Sequence, residues 1–291
     1  EEMSTVLLFL FIAAGAYLSI GCALAFAEAM KVRRGGGKNI SQPDAYVDSV
    51  IYDADYYLKA YAGDKQSYIA GLRTLPISLA RCVSLAGIRP GEKVLDLGCG
   101  RGALAYHCAA LGCHVAAVDY SEDAVRLAEM ARDALPEGCT GSMRVLKMDF
   151  RELAETEKYD CIIMADLVEH LYDWQLKELF VKARSLLKKG TGRLVIHTAP
   201  NRIFINIIFP LKRILNWPAI VGKGKRFFYT RDKYSYDLAM HVNEQTPASL
   251  SRHLRQFRAR VWCDDGSANV VSLLTRSFGG ADIWAVARLS E

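Results

Sequence analysis

No two of the eight cysteines (Cys22, Cys82, Cys99, Cys108, Cys113, Cys139, Cys161 and Cys263) form a C-x-x-C pair or a metal-finger spacing. That excludes a zinc ribbon and offers no disulfide framework, so the cysteines read as reduced thiols used as small hydrophobes, as in a cytosolic chain. No internal repeat and no low-complexity tract is present, which excludes a solenoid and a long disordered tail. Acidic residues are missing from Asn201 to Arg231, and charge of either sign is missing from Val6 to Ala27. A net charge of +5 is small for 291 residues, so its placement matters more than its sum. With 51% hydrophobic residues the chain has core material for one large α/β domain plus additions.

What is present is a strand pattern that ends in a glycine-rich turn, Val94-Leu95-Asp96-Leu97-Gly98-Cys99-Gly100-Arg101-Gly102. Glycine lets a backbone approach a ligand closely, and a helix predicted over Ala103 to Leu111 would aim its free N–H groups at that ligand. A dinucleotide-binding turn reads G-x-G-x-x-G. Here the spacing is G-x-G-x-G, and Asp96 stands two residues ahead of Gly98. The run resembles the first motif of class I S-adenosylmethionine-dependent methyltransferases.

That family places further acids at the ends of the next strands, and this chain has them. His114 to Val118 is a strand candidate ending in Asp119, and Arg144 to Met148 leads to Asp149-Phe150. Tyr159 to Ala165 and Gly192 to Thr198 supply a fourth and a fifth strand, with helix-period segments at Asp123 to Leu135 and Trp174 to Leu187 between strands. A sixth strand near Arg260 to Cys263 and a seventh at Ile283 to Arg288 would close the sheet. The expected fold is α/β, a doubly wound, seven-stranded, mostly parallel Rossmann-like sheet. The resemblance implies S-adenosylmethionine as cofactor, bound among Asp96, Gly98, Cys99, Gly100, Gly102, Asp119, Tyr120, Asp149, Phe150 and Ala165. Asp119 would accept both ribose hydroxyls, and Asp149 the adenine amino group.

After the fourth strand comes Asp166-Leu167-Val168-Glu169-His170. It resembles the acid-x-x-Glu-His element of O-methyltransferases acting on ubiquinone precursors and of small-RNA terminal 2′-O-methyltransferases, with Asp166 in place of the usual Glu. Pro200-Asn201-Arg202, a long insertion, then His241 and Thr246-Pro247 follow the layout of the ubiquinone group. This implies His170 and His241 as catalytic candidates and O-methylation of a membrane-associated or amphipathic small molecule. A divalent metal held by Asp166, Glu169, His170 and His241 is the alternative use of the same residues. A soluble metabolite or sugar acceptor and a non-catalytic membrane scaffold remain the competing functions. An aminopropyl transferase or a nicotinamide dehydrogenase could use the same sheet, and Asp96 with the G-x-G-x-G spacing argues against both. His107, His114 and His197 read as structural, and His253 as solvent-facing on a basic helix from Ser249 to Arg258.

The uncharged run from Val6 to Ala27 is long enough to cross about 30 Å of hydrocarbon as a helix. Glu1 and Glu2 precede it, while Lys31, Arg33, Arg34 and Lys38 follow, which predicts a single-pass anchor with the catalytic domain in the cytoplasm. Ala25-Phe26-Ala27 would suit a signal-peptide cleavage site, but the run lacks a basic leading region and exceeds the usual apolar length. The expected organisation is an anchor at 1–30, a basic glycine-rich linker at 31–44, a tyrosine-rich helical cap at 45–90, the cofactor core at 91–200, a basic apolar insertion at 201–242 and the core's end at 243–291. Seven basic residues of the insertion (Arg202, Lys212, Arg213, Lys223, Lys225, Arg226 and Arg231) stand among Ile, Phe, Leu, Trp and Tyr. Such a segment suits an anionic membrane surface or a lid over the substrate, and its greasy run from Phe204 to Phe209 is unlike a nucleic-acid groove.

Overall fold

Apolar side chains buried on both faces are what central parallel strands require, and four of the five parallel strands here have them. The fifth, Ser142–Lys147, alternates with polar residues at the sheet edge. The computed structural model describes residues 13–25, 46–59, 64–154, 156, 158–225, 240–264 and 279–289. The strands are β1 (Lys93–Leu97), β2 (His114–Asp119), β3 (Ser142–Lys147), β4 (Cys161–Ala165), β5 (Arg193–Thr198), β6 (Phe257–Asp264) and β7 (Asp282–Leu289). Among the described residues they form one sheet in the order β3-β2-β1-β4-β5-β7-β6. Strand β7 runs antiparallel to both β5 and β6, and the other pairs are parallel. The order reverses between β1 and β4, so the crevice at their carboxyl ends is where a ligand belongs in such a sheet.

Helices in chain order are α1 (13–25), α2 (Ala54–Leu58), α3 (Lys65–Gly71), α4 (Ile77–Ala86), α5 (Ala103–Ala110), α6 (Glu122–Asp133), α7 (Asp173–Leu186), α8 (Phe209–Leu215), α9 (Trp217–Gly222) and α10 (Pro247–His253). Alternate strand residues serve two separate cores. Leu95, Leu97, Ile162, Met164 and Leu194 pack with Leu176, Leu179 and Phe180 of α7 on one face. Val94, Val115, Ala117, Ile163 and Val195 pack with Leu104 and Cys108 of α5 and Leu127 and Ala128 of α6 on the other.

Two details depart from the periodicity. The helix expected from Ser249 to Arg258 stops at His253, and β6 begins at Phe257 rather than Arg260. Phe257 is buried and pairs with Leu289, so the ladder with β7 outweighs local helix propensity. His253 is not solvent-facing: its ring stacks on Phe180 at 5.9 Å, and its Nε2 lies 3.2 Å from Asp173.

The chain divides into two units, Pro43–Asn201 with Tyr236–Glu291, and Glu1–Gln42 with Arg202–Ser235. In the smaller unit α1 packs on α8 and α9. The Tyr17 hydroxyl donates to the Leu215 carbonyl at 3.2 Å, and its ring meets Trp217 at 5.6 Å. A Cβ on Gly21 would come within 2.9 Å of the Ile214 carbonyl oxygen, so glycine is what permits this close approach. Among the described residues no helix is long and apolar enough to cross a membrane, so the transmembrane anchor expected over Val6 to Ala27 finds no support there. The rest of that run, the linker at 31–44 and residues 226–231 of the insertion lie outside the described residues.

Candidate active site

The turn after β1 is built so that only a small residue fits. Gly98, Gly100 and Gly102 all have positive φ, and a Cβ on Gly102 would stand 2.8 Å from the Ala128 Cβ of α6. The backbone N–H groups of Gly98 and Cys99 both donate to the Val118 carbonyl, tying the turn to the end of β2. Asp119 closes the arrangement. Its Oδ2 accepts from the Gly100 N–H and its Oδ1 from the Ser121 N–H, both at 2.9 Å. Each oxygen therefore keeps lone-pair capacity, as a carboxylate facing a ribose diol needs.

Asp96 is buried beneath the turn. Its Oδ2 has no hydrogen-bond partner among the described residues, although the Ala105 N–H of α5 bonds the same carboxyl group. Burial, with Asp119 nearby, pushes Asp96 up to about 7. Burial also raises Asp119, against the pull of the N–H groups of Ser121 and Gly100. An orphaned, buried acceptor beside a glycine cradle is what a cationic amino group on a ligand would satisfy, and the α-ammonium of S-adenosylmethionine is such a group.

A cavity opens beside the turn. Gly98, Asp119, Tyr120, Asp149, Phe150 and Leu167 line it, with Tyr46 and Val47 of the preceding segment, and His170, Leu171 and Gln175 at its other side. Tyr120 donates to the Val47 carbonyl at 3.2 Å, which fixes the cap over the cavity. Phe150 is buried and Tyr120 is 39% exposed. Asp149 is clamped by Arg151: Nε and Nη2 reach its two oxygens at 2.8 Å each. Burial opposes charge on Asp149, but these bonds outweigh it and hold the carboxyl below its ordinary value. Ala165 is the half-buried last residue of β4, and Cys99 is buried in the turn.

On the other side of the cavity His170 is packed into an aromatic wall. Its Nδ1 lies 3.0 Å from the Tyr52 hydroxyl and 3.3 Å from the Met240 carbonyl, and its ring is 4.9 Å from that of His241. Burial, then His241, lower His170 to about 3, so it is neutral. A carbonyl can only accept, so the Nδ1–H tautomer satisfies Met240 and leaves the lone pair on Nε2. Glu169, His170 and His241 each bring one ligand atom within 4.8 Å of the others. The fourth residue of the expected metal set is elsewhere: Asp166, at φ +54°, has its Oδ1 2.7 Å from His197 Nδ1. Burial opposes charge on His197, yet Asp166 and Asp282 outweigh it and raise His197 to about 10. Glu169 accepts from the Thr198 hydroxyl at 2.6 Å, and burial followed by Asp166 pushes it up to about 8. A full four-residue metal set is thus not assembled in this arrangement.

The motif residues foretold neither the Asp149–Arg151 clamp nor the Asp166–His197 ion pair. Arg151 directly follows the expected pair Asp149-Phe150, and only its fork geometry beside a carboxylate would have signalled the clamp.

The family described as a methyltransferase domain matches residues 72–270. A ubiquinone biosynthesis O-methyltransferase from Bordetella avium is 28% identical over 159 residues, covering 54% of this chain and 64% of the relative. One from Paraburkholderia phytofirmans is 33% identical over 100 residues, covering 34% and 41%. The chain thus spans less than two thirds of the length of these curated relatives. Among solved structures, the YcgJ protein from Bacillus subtilis superposes with a TM-score of 0.50 at 14% identity, covering 74% of this chain and 99% of that one, a likeness of fold. With the family match extending over more than half of its length, and over the glycine turn, Asp119, Asp149 and His170 alike, the chain belongs to the methyltransferase-domain family.

Proposed function

We propose that this enzyme transfers a methyl group from S-adenosylmethionine to a hydroxyl of an amphipathic small molecule, with the adenosine in the cavity beside the glycine turn. The observation that carries the cofactor assignment is the pairing of Asp119, whose oxygens each keep room for a ribose hydroxyl, with the orphaned Oδ2 of Asp96. Asp149 would accept from the adenine amino group, and Phe150 would pack on the ring. The methyl donor is S-adenosylmethionine, and it supplies an electrophilic methyl on a sulfonium centre. The protein's part is to align the acceptor oxygen and take its proton. His170 supports the O-methylation reading because it is neutral and holds a lone pair on Nε2. That nitrogen would accept the hydrogen bond of the acceptor hydroxyl and aim its oxygen at the methyl. As the O–CH3 bond forms the S–CH3 bond breaks, and S-adenosylhomocysteine leaves. The proton, which an imidazole lowered to about 3 does not retain, goes on to water. Tyr52 and the Met240 carbonyl keep the imidazole in the required tautomer.

The smaller unit, taken by itself, supports the acceptor class. Tyr17, Leu18, Ile20 and Leu24 of α1 and Ile207, Leu211, Leu215 and Val221 of the insertion are all large, apolar and exposed. Lys212, Arg213, Lys223 and Lys225 stand among them. Apolar bulk beside lysine and arginine suits the headgroup layer of an anionic membrane, and an acceptor resident in that layer would be amphipathic. We accordingly assign the enzyme to a membrane surface, with its catalytic unit on the cytoplasmic side. Calorimetry with S-adenosylhomocysteine tests the cofactor, where micromolar binding is expected and none would overturn the assignment. Untargeted lipid analysis of a deletion strain tests the acceptor. An amphipathic species lighter by one methylene unit is expected, and a change confined to water-soluble metabolites would refute that class.

A further inference from the structure

The outer wall of the cavity is held by a residue that does not itself line it. Arg151 follows Asp149 by two positions, in the single turn Phe150–Glu152 that Asp149 caps. Its backbone N–H and its Nε both donate to Asp149 Oδ1, at 2.9 and 2.8 Å, and its Nη2 donates to Oδ2 at 2.8 Å. The same guanidinium donates through Nη1 to the Tyr46 hydroxyl. It also lies across three rings, with its central carbon 5.1 Å from the centre of Tyr46, 5.7 Å from Trp174 and 6.0 Å from Phe150. Tyr46 in turn meets Trp174 edge to face at 5.0 Å. Asp149, Phe150 and Tyr46 all line the cavity.

We propose that Arg151 is a positioning residue for the adenine ring of the cofactor, fixing the Asp149 carboxylate that reads the adenine amino group and latching Tyr46 as the cavity's outer wall. The inference rests on the cavity being the adenosine site. Its chemistry is geometric. A free carboxylate rotates about two side-chain bonds, whereas a forked guanidinium holds both oxygens in one plane. With three donors on Arg151 already bound, the lone pairs left on Asp149 keep one direction. A base presenting an amino group at that point is accepted. One presenting a carbonyl oxygen meets a fixed negative charge that cannot turn away, and is refused. Burial favours the neutral acid, but the Arg151 bonds outweigh it and keep Asp149 ionised, which sharpens that refusal.

The test compares S-adenosylhomocysteine with its inosine analogue, S-inosylhomocysteine, by calorimetry on the full chain. Arg151→Ala should weaken S-adenosylhomocysteine about tenfold and shrink the preference over the inosine analogue by a similar factor, while 5′-methylthioadenosine weakens in parallel because it carries the same base. Arg151→Lys, which keeps the charge without the fork, should show the same pattern with a smaller loss. It serves in place of the alanine variant should that one fail to fold. The double variant Asp149→Ala with Arg151→Ala should discriminate no worse than Asp149→Ala alone, since the arginine acts through the carboxylate. A merely structural arginine would lower the melting temperature and leave the base preference where it was. Unchanged affinity and preference in both Arg151 variants, with Asp149→Ala impaired, would overturn the role of Arg151 and spare the cavity. Unchanged affinity in Asp149→Ala would overturn the reading of the cavity and the inference with it.

Discussion

Replacing Asp96 with Asn should make the ligand-free protein more stable, and increasingly so as the pH rises. Burial pushes this carboxyl from 3.8 to about 7, so the folded state binds its proton more tightly than the unfolded chain does. Stability from that proton is complete below pH 3.8 and is lost as the pH rises towards 7. Each tenfold gain in proton affinity on folding corresponds to about 1.4 kcal/mol. Ionising Asp96 therefore costs the native state about 4 kcal/mol at pH 7 and less than about 1 kcal/mol at pH 4. Asparagine mimics the protonated acid. Its amide oxygen can still accept from the Ala105 N–H, and its nitrogen takes the place of an oxygen that already lacks a partner. Relief of repulsion with Asp119 acts in the same direction. The assay is urea unfolding of both proteins from pH 4 to 8. Coincident stabilities near pH 4 should give way to a margin of several kcal/mol at pH 8. A variant less stable than the parent at pH 8, or a margin that does not vary with pH, would refute the account of Asp96 as a buried, unpaired acid. The same variant should bind S-adenosylhomocysteine more weakly, because an amide cannot neutralise the α-ammonium.

Asp119→Ala should weaken S-adenosylhomocysteine by about 1.5 to 3 kcal/mol, roughly ten- to a hundredfold, since both ribose hydroxyls lose an ionised acceptor; an unchanged dissociation constant in the folded variant would contradict that role. His170→Gln should lower kcat by about a hundredfold or more and leave S-adenosylhomocysteine affinity within about twofold. Full activity in that variant would remove the imidazole from the proton transfer. Changing Lys223, Lys225 and Arg226 together to Glu should abolish binding to phosphatidylglycerol vesicles in flotation and leave S-adenosylhomocysteine affinity intact, because each cation adds about 1 kcal/mol at an anionic surface. Normal flotation of the triple variant would dissociate the basic insertion from membrane contact.

The sheet was legible because its signals are short-range. Apolar runs at Val115 to Val118 and Leu194 to Ile196 suit strands buried on both faces, and Asp119 marks the end of the first. The glycines at 98, 100 and 102 were legible for the same reason, each occupying positive φ in one tight turn. Residues 254–259 were not. Their composition suits a helix, yet 254–256 form a turn and pairing with β7 makes a strand from Phe257 onward. Ion-pair partners were hidden more deeply. Asp166 and His197 come together because β4 and β5 are neighbours, a fact no local pattern contains, so Asp166 read as a companion of Glu169 and His170. His253 likewise read as exposed because its partners, Phe180 and Asp173, belong to α7.

The contact between Tyr17 and Leu215 joins residues 198 positions apart. At about 5 to 20 residues per second, a ribosome needs about 10 to 40 seconds to travel that distance. Throughout that interval α1 has left the exit tunnel and its packing partners have not been made. Gly21 and Ala25, both buried in the finished fold, then face water, a chaperone or a lipid surface until residues 214–220 arrive. The same timing bears on protein engineering. Deleting the insertion alone would leave α1 permanently in its nascent condition, so the two segments are to be kept or removed together.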